Sequence, residues 1–290
     1  MSDKPIVKDY TANKYVVYED YERRVLHEAT IKDSIITRRG TKVEMVDRPE
    51  WGLACYMDNS IQSAVIDERI YHESLVHPAM LSVTERRRVM IIGGGEGATA
   101  REVLKWPGVL HVDMYEWDED IIKLFKNKYS QWANGAWDDP RLHIYAEDIF
   151  EAIKNPPAVY NRYDIIIIDL FEPCEENYAQ WVTLINSLHN WISIDGSIVI
   201  YAGMRYAEKL SPYKKVIDLI NLRPVHALKD LTFNKEIVPY KVYIPSFSGE
   251  SVFLLLKNHF LAYNFKFDEA EKLNSHITLD VWNSYKAFNW

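Results

Sequence analysis

Four apolar segments of the sequence that read as buried strands each end in acid. Glu96 follows the first, Glu116 the second, Asp148 the third, and Asp169 with Glu172 the fourth. Each carboxylate has chemistry available to it. Glu96 sits inside Gly93-Gly94-Gly95-Glu96-Gly97, where glycines let the backbone turn tightly and approach a ligand, and where a following helix offers free N–H groups. Glu116 lies about twenty residues further on, the spacing at which an acid accepts both hydrogen bonds of a ribose diol. Asp148 is placed to accept from an exocyclic amine of adenine. Asp169 closes Ile165-Ile166-Ile167-Ile168, so a rigid, dry strand holds a carboxylate that can bind or deprotonate an amine.

A glycine-rich turn followed by an acid also occurs in dehydrogenases, methyltransferases and other nucleotide binders, and alone separates none of them. An Asp at a strand end can equally be a helix cap, although four acids at four successive strand ends are harder to explain that way. Glu96 narrows the choice: a carboxylate in the glycine loop repels a pyrophosphate. It favours a cationic, phosphate-free nucleoside, such as a sulfonium of the S-adenosylmethionine type.

The elements that must position these residues come in two rhythms. Residues 34–37, 41–46, 53–57 and 62–66 alternate as short strands separated by turn residues, including Asp58-Asn59. They predict a small antiparallel β domain over residues 1–79, closed by a helix from Asp67 to His77 that Pro78 stops. From Arg88 onward, apolar strands alternate with helices, and this predicts an α/β domain over 80–290 with a doubly wound parallel sheet. Strands are expected at 89–92, 112–117, 142–145, 164–169 and 197–201, then near 225–228, with a final pair that includes 251–256. Ligands of such sheets bind beyond the carboxyl ends of the strands, where the strand order reverses. The acids stand at those ends.

Bulk properties agree. The chain has 290 residues, 48% of them hydrophobic, and a formal net charge of −8. That sign argues against nucleic acid, whose phosphates are bound through Lys and Arg, and suits a cationic substrate. Cys55 and Cys174, the two cysteines, have no metal-ligand spacing, and His72 and His77 stand too far apart in register for one helical face. No metal is therefore expected. No apolar run is long enough to cross a bilayer, and Met1 to Pro5 begins no signal peptide, so a soluble, cytoplasmic protein without membrane partners is expected.

The segment from Ile91 to Leu104 resembles the signature of the spermidine and thermospermine synthases. So do Tyr115-Glu116-Trp117-Asp118, Asp138-Asp139-Pro140-Arg141-Leu142, Tyr163 to Pro173, and the run from Met57 to Pro78. The resemblance spans roughly residues 40 to 257. His72 after Tyr71, and Glu96 where spermidine synthases have Asp, look closer to the thermospermine synthases.

The resemblance implies an N-terminal β-sheet domain followed by a Rossmann-like, class I methyltransferase-like domain, assembled as a homodimer or homotetramer. It implies transfer of an aminopropyl group from decarboxylated S-adenosylmethionine to a polyamine, with release of methylthioadenosine. By the same resemblance, Gln62, Gly93, Gly95, Glu96, Glu116, Trp117 and Asp148 bind the donor: Glu116 on ribose, Asp148 on adenine, Glu96 on the aminopropyl ammonium. Trp117 either stacks on the nucleoside or packs under the loop. Asp169, helped by Tyr71, orients and deprotonates the attacking amine, while His72, Glu172 and Tyr201 line the acceptor side. Asn59, Glu172, Tyr201, the segment 174–178 and Ile244-Pro245-Ser246-Phe247 depart from the spermidine-synthase pattern, mostly on that side. The expected reaction converts spermidine to thermospermine or spermine. The alternatives are a spermidine synthase acting on putrescine, an amine N-methyltransferase on the same scaffold, or an inactive paralogue.

Overall fold

The apolar runs Val89–Ile92 and Ile165–Ile168 have no exposed side chain at all, as expected of strands covered on both faces. They are the middle of a seven-stranded sheet. The computed structural model describes residues 7–9, 14–18, 26–205, 212–221, 235–258 and 265–287. Among them the chain divides into two compact units, residues 1–69 with 245–248, and residues 70–244 with 249–290.

The first unit is an antiparallel meander of β1 (Val7–Asp9), β2 (Lys14–Tyr18), β3 (Leu26–Ile36), β4 (Lys42–Arg48), β5 (Gly52–Met57) and β6 (Ser60–Ala64). Ala29, Val46, Ala54, Tyr56 and Ala64 pack its core. Four of these strands were legible; β1 and β2 are short and carry too little alternation to be read. Between β5 and β6, Asp58 and Asn59 both take positive φ, 47° and 67°. That is the two-residue turn whose twist matches a hairpin, and it explains why Asn serves at position 59. Asp67 ties the returning segment into this unit, accepting from the Ser246 N–H at 2.6 Å and the Ser246 hydroxyl at 2.8 Å.

The second unit opens with α1 (Glu68–Leu81). The sequence pattern put the division at 79/80 and ended the helix before Pro78; the helix instead runs through Pro78, and its residues from 70 on belong to the second unit. Proline removes the N–H that Ser74 would have received. The hydroxyl of Tyr240 replaces it, donating to the Ser74 carbonyl at 2.7 Å. Tyr71, His72 and His77 of α1 bond to Asp169, Glu96 and Trp106, and so hold the helix to the second unit.

There follow β7 (Arg88–Gly93), α2 (Ala98–Leu104), β8 (His111–Tyr115), α3 (Glu119–Lys128), β9 (Leu142–Tyr145), α4 (Ile149–Ala152), β10 (Tyr163–Asp169), α5 (Tyr178–Ser187), β11 (Ile192–Met204) and α6 (Pro212–Asn221). A hairpin of β12 (Lys235–Ile244) and β13 (Gly249–Asn258), then α7 (Phe267–Glu271) and α8 (Leu279–Lys286), completes it. The sheet order is β12-β13-β11-β10-β7-β8-β9. The five strands from β7 to β11 pair in parallel and the hairpin joins β11 antiparallel, so the sheet is mixed. The strand expected at 225–228 lies outside the described residues. No helix among the described residues is long and apolar enough to cross a membrane. The order reverses between β7 and β10, which places a ligand crevice at their carboxyl ends.

Candidate active site

The reversal brings Gly93 and Asp169 side by side as register partners of β7 and β10. A Cβ on residue 93, at φ +89°, would stand 2.0 Å from the Asp169 carbonyl oxygen. Only glycine allows that approach, and it brings the loop 93–97 against the end of β10.

Asp169 is then held from two sides. Tyr71 of α1 donates its hydroxyl to Oδ1 at 2.6 Å, and Thr99 of α2 donates to Oδ2 at 3.2 Å. Burial, and then the negative charge of Glu96, push its carboxyl up to about 6, against the opposing pull of His72 and of those two bonds. Burial and the negative charge of Asp169 keep the Tyr71 phenol far above its ordinary range, so it remains a protonated donor. Glu96 meets His72, whose Nε2 lies 2.8 Å from Oε1. His72, Glu96 and Asp169 each place one nitrogen or oxygen within 4.8 Å of the other two. That spacing lets two carboxylates share one cation.

Glu116 follows β8. Its Oε1 accepts from the Asp118 N–H at 3.0 Å, and Oε2 lies 3.0 Å from where a Cβ on Gly95 would stand. A side chain at 95 would therefore displace the acid. Burial pushes Glu116 up to about 7 despite the N–H groups that Asp118 and Gly95 offer it.

The acceptor side is assembled more loosely. Tyr201 of β11 donates to Glu172 Oε1 at 3.4 Å, and its ring stands edge-on to Tyr71 with centroids 5.5 Å apart. The segment after Glu172 is folded on itself, with Asn177 accepting from the Cys174 N–H and donating to the Glu172 carbonyl. Beside it, Cys174, Glu175, Tyr178, Lys215, Asp218 and Asn221 line an open groove of about 730 Å³. Cys174 apart, none of the residues described above lines that groove.

The second unit thus brings together Tyr71, His72, Gly93, Gly95, Glu96, Glu116, Asp169, Glu172 and Tyr201. Trp117, after β8, is 45% exposed. Asp148 is an N-cap, accepting from the Phe150 N–H of α4 at 2.9 Å. Gln62 lies exposed on β6 in the first unit, its amide donating to the Ser60 carbonyl at 3.2 Å. Sequence reasoning missed Thr99, although its place in the first turn after the glycine loop would have suggested it. It also missed Glu73, a fully buried acid that the Ser275 hydroxyl and the His276 N–H satisfy from the C-terminal segment. Nothing local signals that partnership.

Residues 68–266 match the model of the spermine/spermidine synthase domain. The chain belongs to that family. A polyamine aminopropyltransferase of Pyrobaculum calidifontis is 33% identical over 218 residues, which cover 74% of this chain and 71% of the relative. Polyamine aminopropyltransferase 2 of Pseudomonas aeruginosa is 34% identical over 237 residues, covering 80% and 62%. Among solved structures, the spermidine synthase of Thermotoga maritima superposes with a TM-score of 0.79 at 20% identity, covering 99% of this chain and 95% of that one. A spermidine synthase in complex with the transition-state analogue AdoDATO superposes with a TM-score of 0.81, with the same identity and coverage. At that identity the superpositions establish the fold, a Rossmann-like sheet domain with an N-terminal antiparallel sheet. Family membership makes the chain an enzyme, a polyamine aminopropyltransferase, whose class uses decarboxylated S-adenosylmethionine as co-substrate.

Proposed function

We propose that the chain transfers the aminopropyl group of decarboxylated S-adenosylmethionine to spermidine, forming the tetraamine thermospermine or spermine and releasing methylthioadenosine. The observation that carries this reading is the convergence of Tyr71, Glu96 and Asp169 at the carboxyl ends of β7 and β10, with Glu116 beside them across Gly95. Glu96 holds the ammonium of the donor's propyl chain and would repel the carboxylate of S-adenosylmethionine itself. Glu116 takes the ribose diol, Asp148 the adenine amine, and Trp117 offers its face to the base.

An ammonium carries no lone pair, so the acceptor nitrogen must first give a proton to Asp169. A carboxyl pushed up to about 6 is a competent base near neutral pH. Tyr71, kept protonated, orients that carboxylate. The freed amine attacks the propyl carbon bonded to sulfur, the carbon–sulfur bond breaks, and its electron pair stays on a now neutral sulfur. The product nitrogen carries the positive charge away. Much of the acceleration comes from holding the two cations in line.

The choice of spermidine rests on the motif resemblance at His72, Glu96 and Ile244-Pro245-Ser246-Phe247, and on Glu172 and Tyr201 lining the acceptor side. Assembly as a homodimer or homotetramer rests on the resemblance alone, and sedimentation velocity tests it. Incubation with the decarboxylated donor and, separately, putrescine, cadaverine, agmatine and spermidine tests the reaction. A tetraamine formed with equimolar methylthioadenosine is expected from spermidine. Product from putrescine alone would reassign the acceptor, and no methylthioadenosine with any amine would end the proposal.

A further inference from the structure

His72 stands 2.8 Å from Glu96 but is itself 1% exposed, while the Glu96 side chain is 17% exposed. The imidazole is sealed under the carboxylate rather than open beside it. Its neighbour on α1, Tyr71, stands T-shaped to the imidazole with ring centroids 5.0 Å apart and spends its hydroxyl on Asp169. One turn of one helix therefore supports both acids of the reaction centre. Glu96 needs such support. It lies between Gly95 and Gly97, in a loop whose glycines take positive φ at 93, 94 and 97, and a glutamate side chain has many rotamers to lose.

We infer that His72 is a positioning residue for the donor. Without touching substrate, it holds the Glu96 carboxylate where the three-carbon ammonium arm of the sulfonium must end, so that His72 and Glu96 act as one ammonium-recognition unit. This changes the acceptor-side role that the motifs implied for His72, and it rests on the donor assignment proposed above. Methylthioadenosine separates this role from simple structural support, because it shares the donor's nucleoside and lacks the ammonium arm. A group that acts only through Glu96 affects the donor and not methylthioadenosine.

The experiment measures equilibrium binding of the decarboxylated donor and of methylthioadenosine, with donor KM and kcat, for wild type, His72→Gln, Glu96→Asp and the double variant. His72→Gln leaves an amide N–H that can reach Glu96 but gives up the ring's fixed bond to it, and is expected to weaken donor binding up to about tenfold, with methylthioadenosine binding and kcat little changed. Glu96→Asp withdraws the carboxylate from His72 and should weaken donor binding similarly. In the double variant the two losses should not add, since each removes the same contact. Additive losses, or a His72→Gln variant that loses methylthioadenosine as strongly as donor, would overturn the inference while leaving the proposed reaction standing. A wild-type protein that binds methylthioadenosine no more weakly than the donor would also overturn the inference, whereas the proposed reaction falls only if no methylthioadenosine forms with any amine. Thermal melting of each variant identifies any general loss of folding, which would appear in both ligands alike.

Discussion

As the proposed base, Asp169 has to be charged to accept a proton, yet it sits where charge is disfavoured. Burial and Glu96 hold its carboxyl near 6, so the empty enzyme is part-protonated in mildly acidic solution. The acceptor-side rate, kcat/KM, should therefore rise with pH through a limb near 6 and flatten above it, as a base that must be unprotonated requires. Asp169→Asn should abolish that limb, reduce turnover by roughly 10²–10⁴, and keep donor binding. A variant that loses donor binding in equal measure would contradict the role.

Glu116 makes a related prediction about stability. Its carboxyl goes from an ordinary value of 4.5 to about 7 on folding, so over that window the folded chain binds more protons than the unfolded one. Stability from this group is present below about 4.5 and lost as pH rises through 7. The loss amounts to about 3 kcal/mol above neutrality, at 1.36 kcal/mol per pKa unit. Glu116→Gln should raise the melting temperature at pH 8 more than at pH 5 and should weaken donor binding, measured by paired melting and titration. At this scale the sequence was readable where an acid ended a periodic run, as Glu116 and Asp169 do. The bond from Thr99 to Asp169 was not, because it depends on how α2 faces β10.

Among the elements, α1 carries the most of the site and was the helix whose end was misread. A proline inside a helix normally marks its end because a carbonyl loses its partner. Here Ser74 receives the Tyr240 hydroxyl from 166 residues away, and no local pattern reports a donor so distant. The expected result for Tyr240→Phe is a loss of about 1–3 kcal/mol, the penalty for a buried carbonyl left unsatisfied, read by chemical denaturation. A variant of unchanged stability would show that the helix does not depend on that hydroxyl. The Glu73 bonds to Ser275 and His276 bridge 202 and 203 residues and escaped sequence reading for the same reason. The parallel strands, by contrast, were legible to within a few residues. A strand buried on both faces must be apolar throughout, and that property is local.

For the whole molecule, the quantity read most directly from the sequence is charge. The chain carries a formal net charge of −8 and its candidate site holds Glu96, Glu116 and Asp169, while both proposed substrates are cations. Long-range attraction of this kind raises the rate of encounter, and salt removes it as the screening length falls to about 10 Å at 0.1 M. Contacts between buried groups within the site are screened far less. Added sodium chloride should therefore lower kcat/KM for the polyamine and leave kcat at saturating polyamine nearly constant. Methylthioadenosine, which is neutral, serves as the internal control, and its affinity should change little over the same salt range. A polyamine with fewer charges should show a shallower salt dependence than spermidine, because the attraction scales with the charge of the incoming ligand. Equal slopes for diamine, triamine and the neutral nucleoside would mean that the acidic surface serves solubility and takes no part in capture.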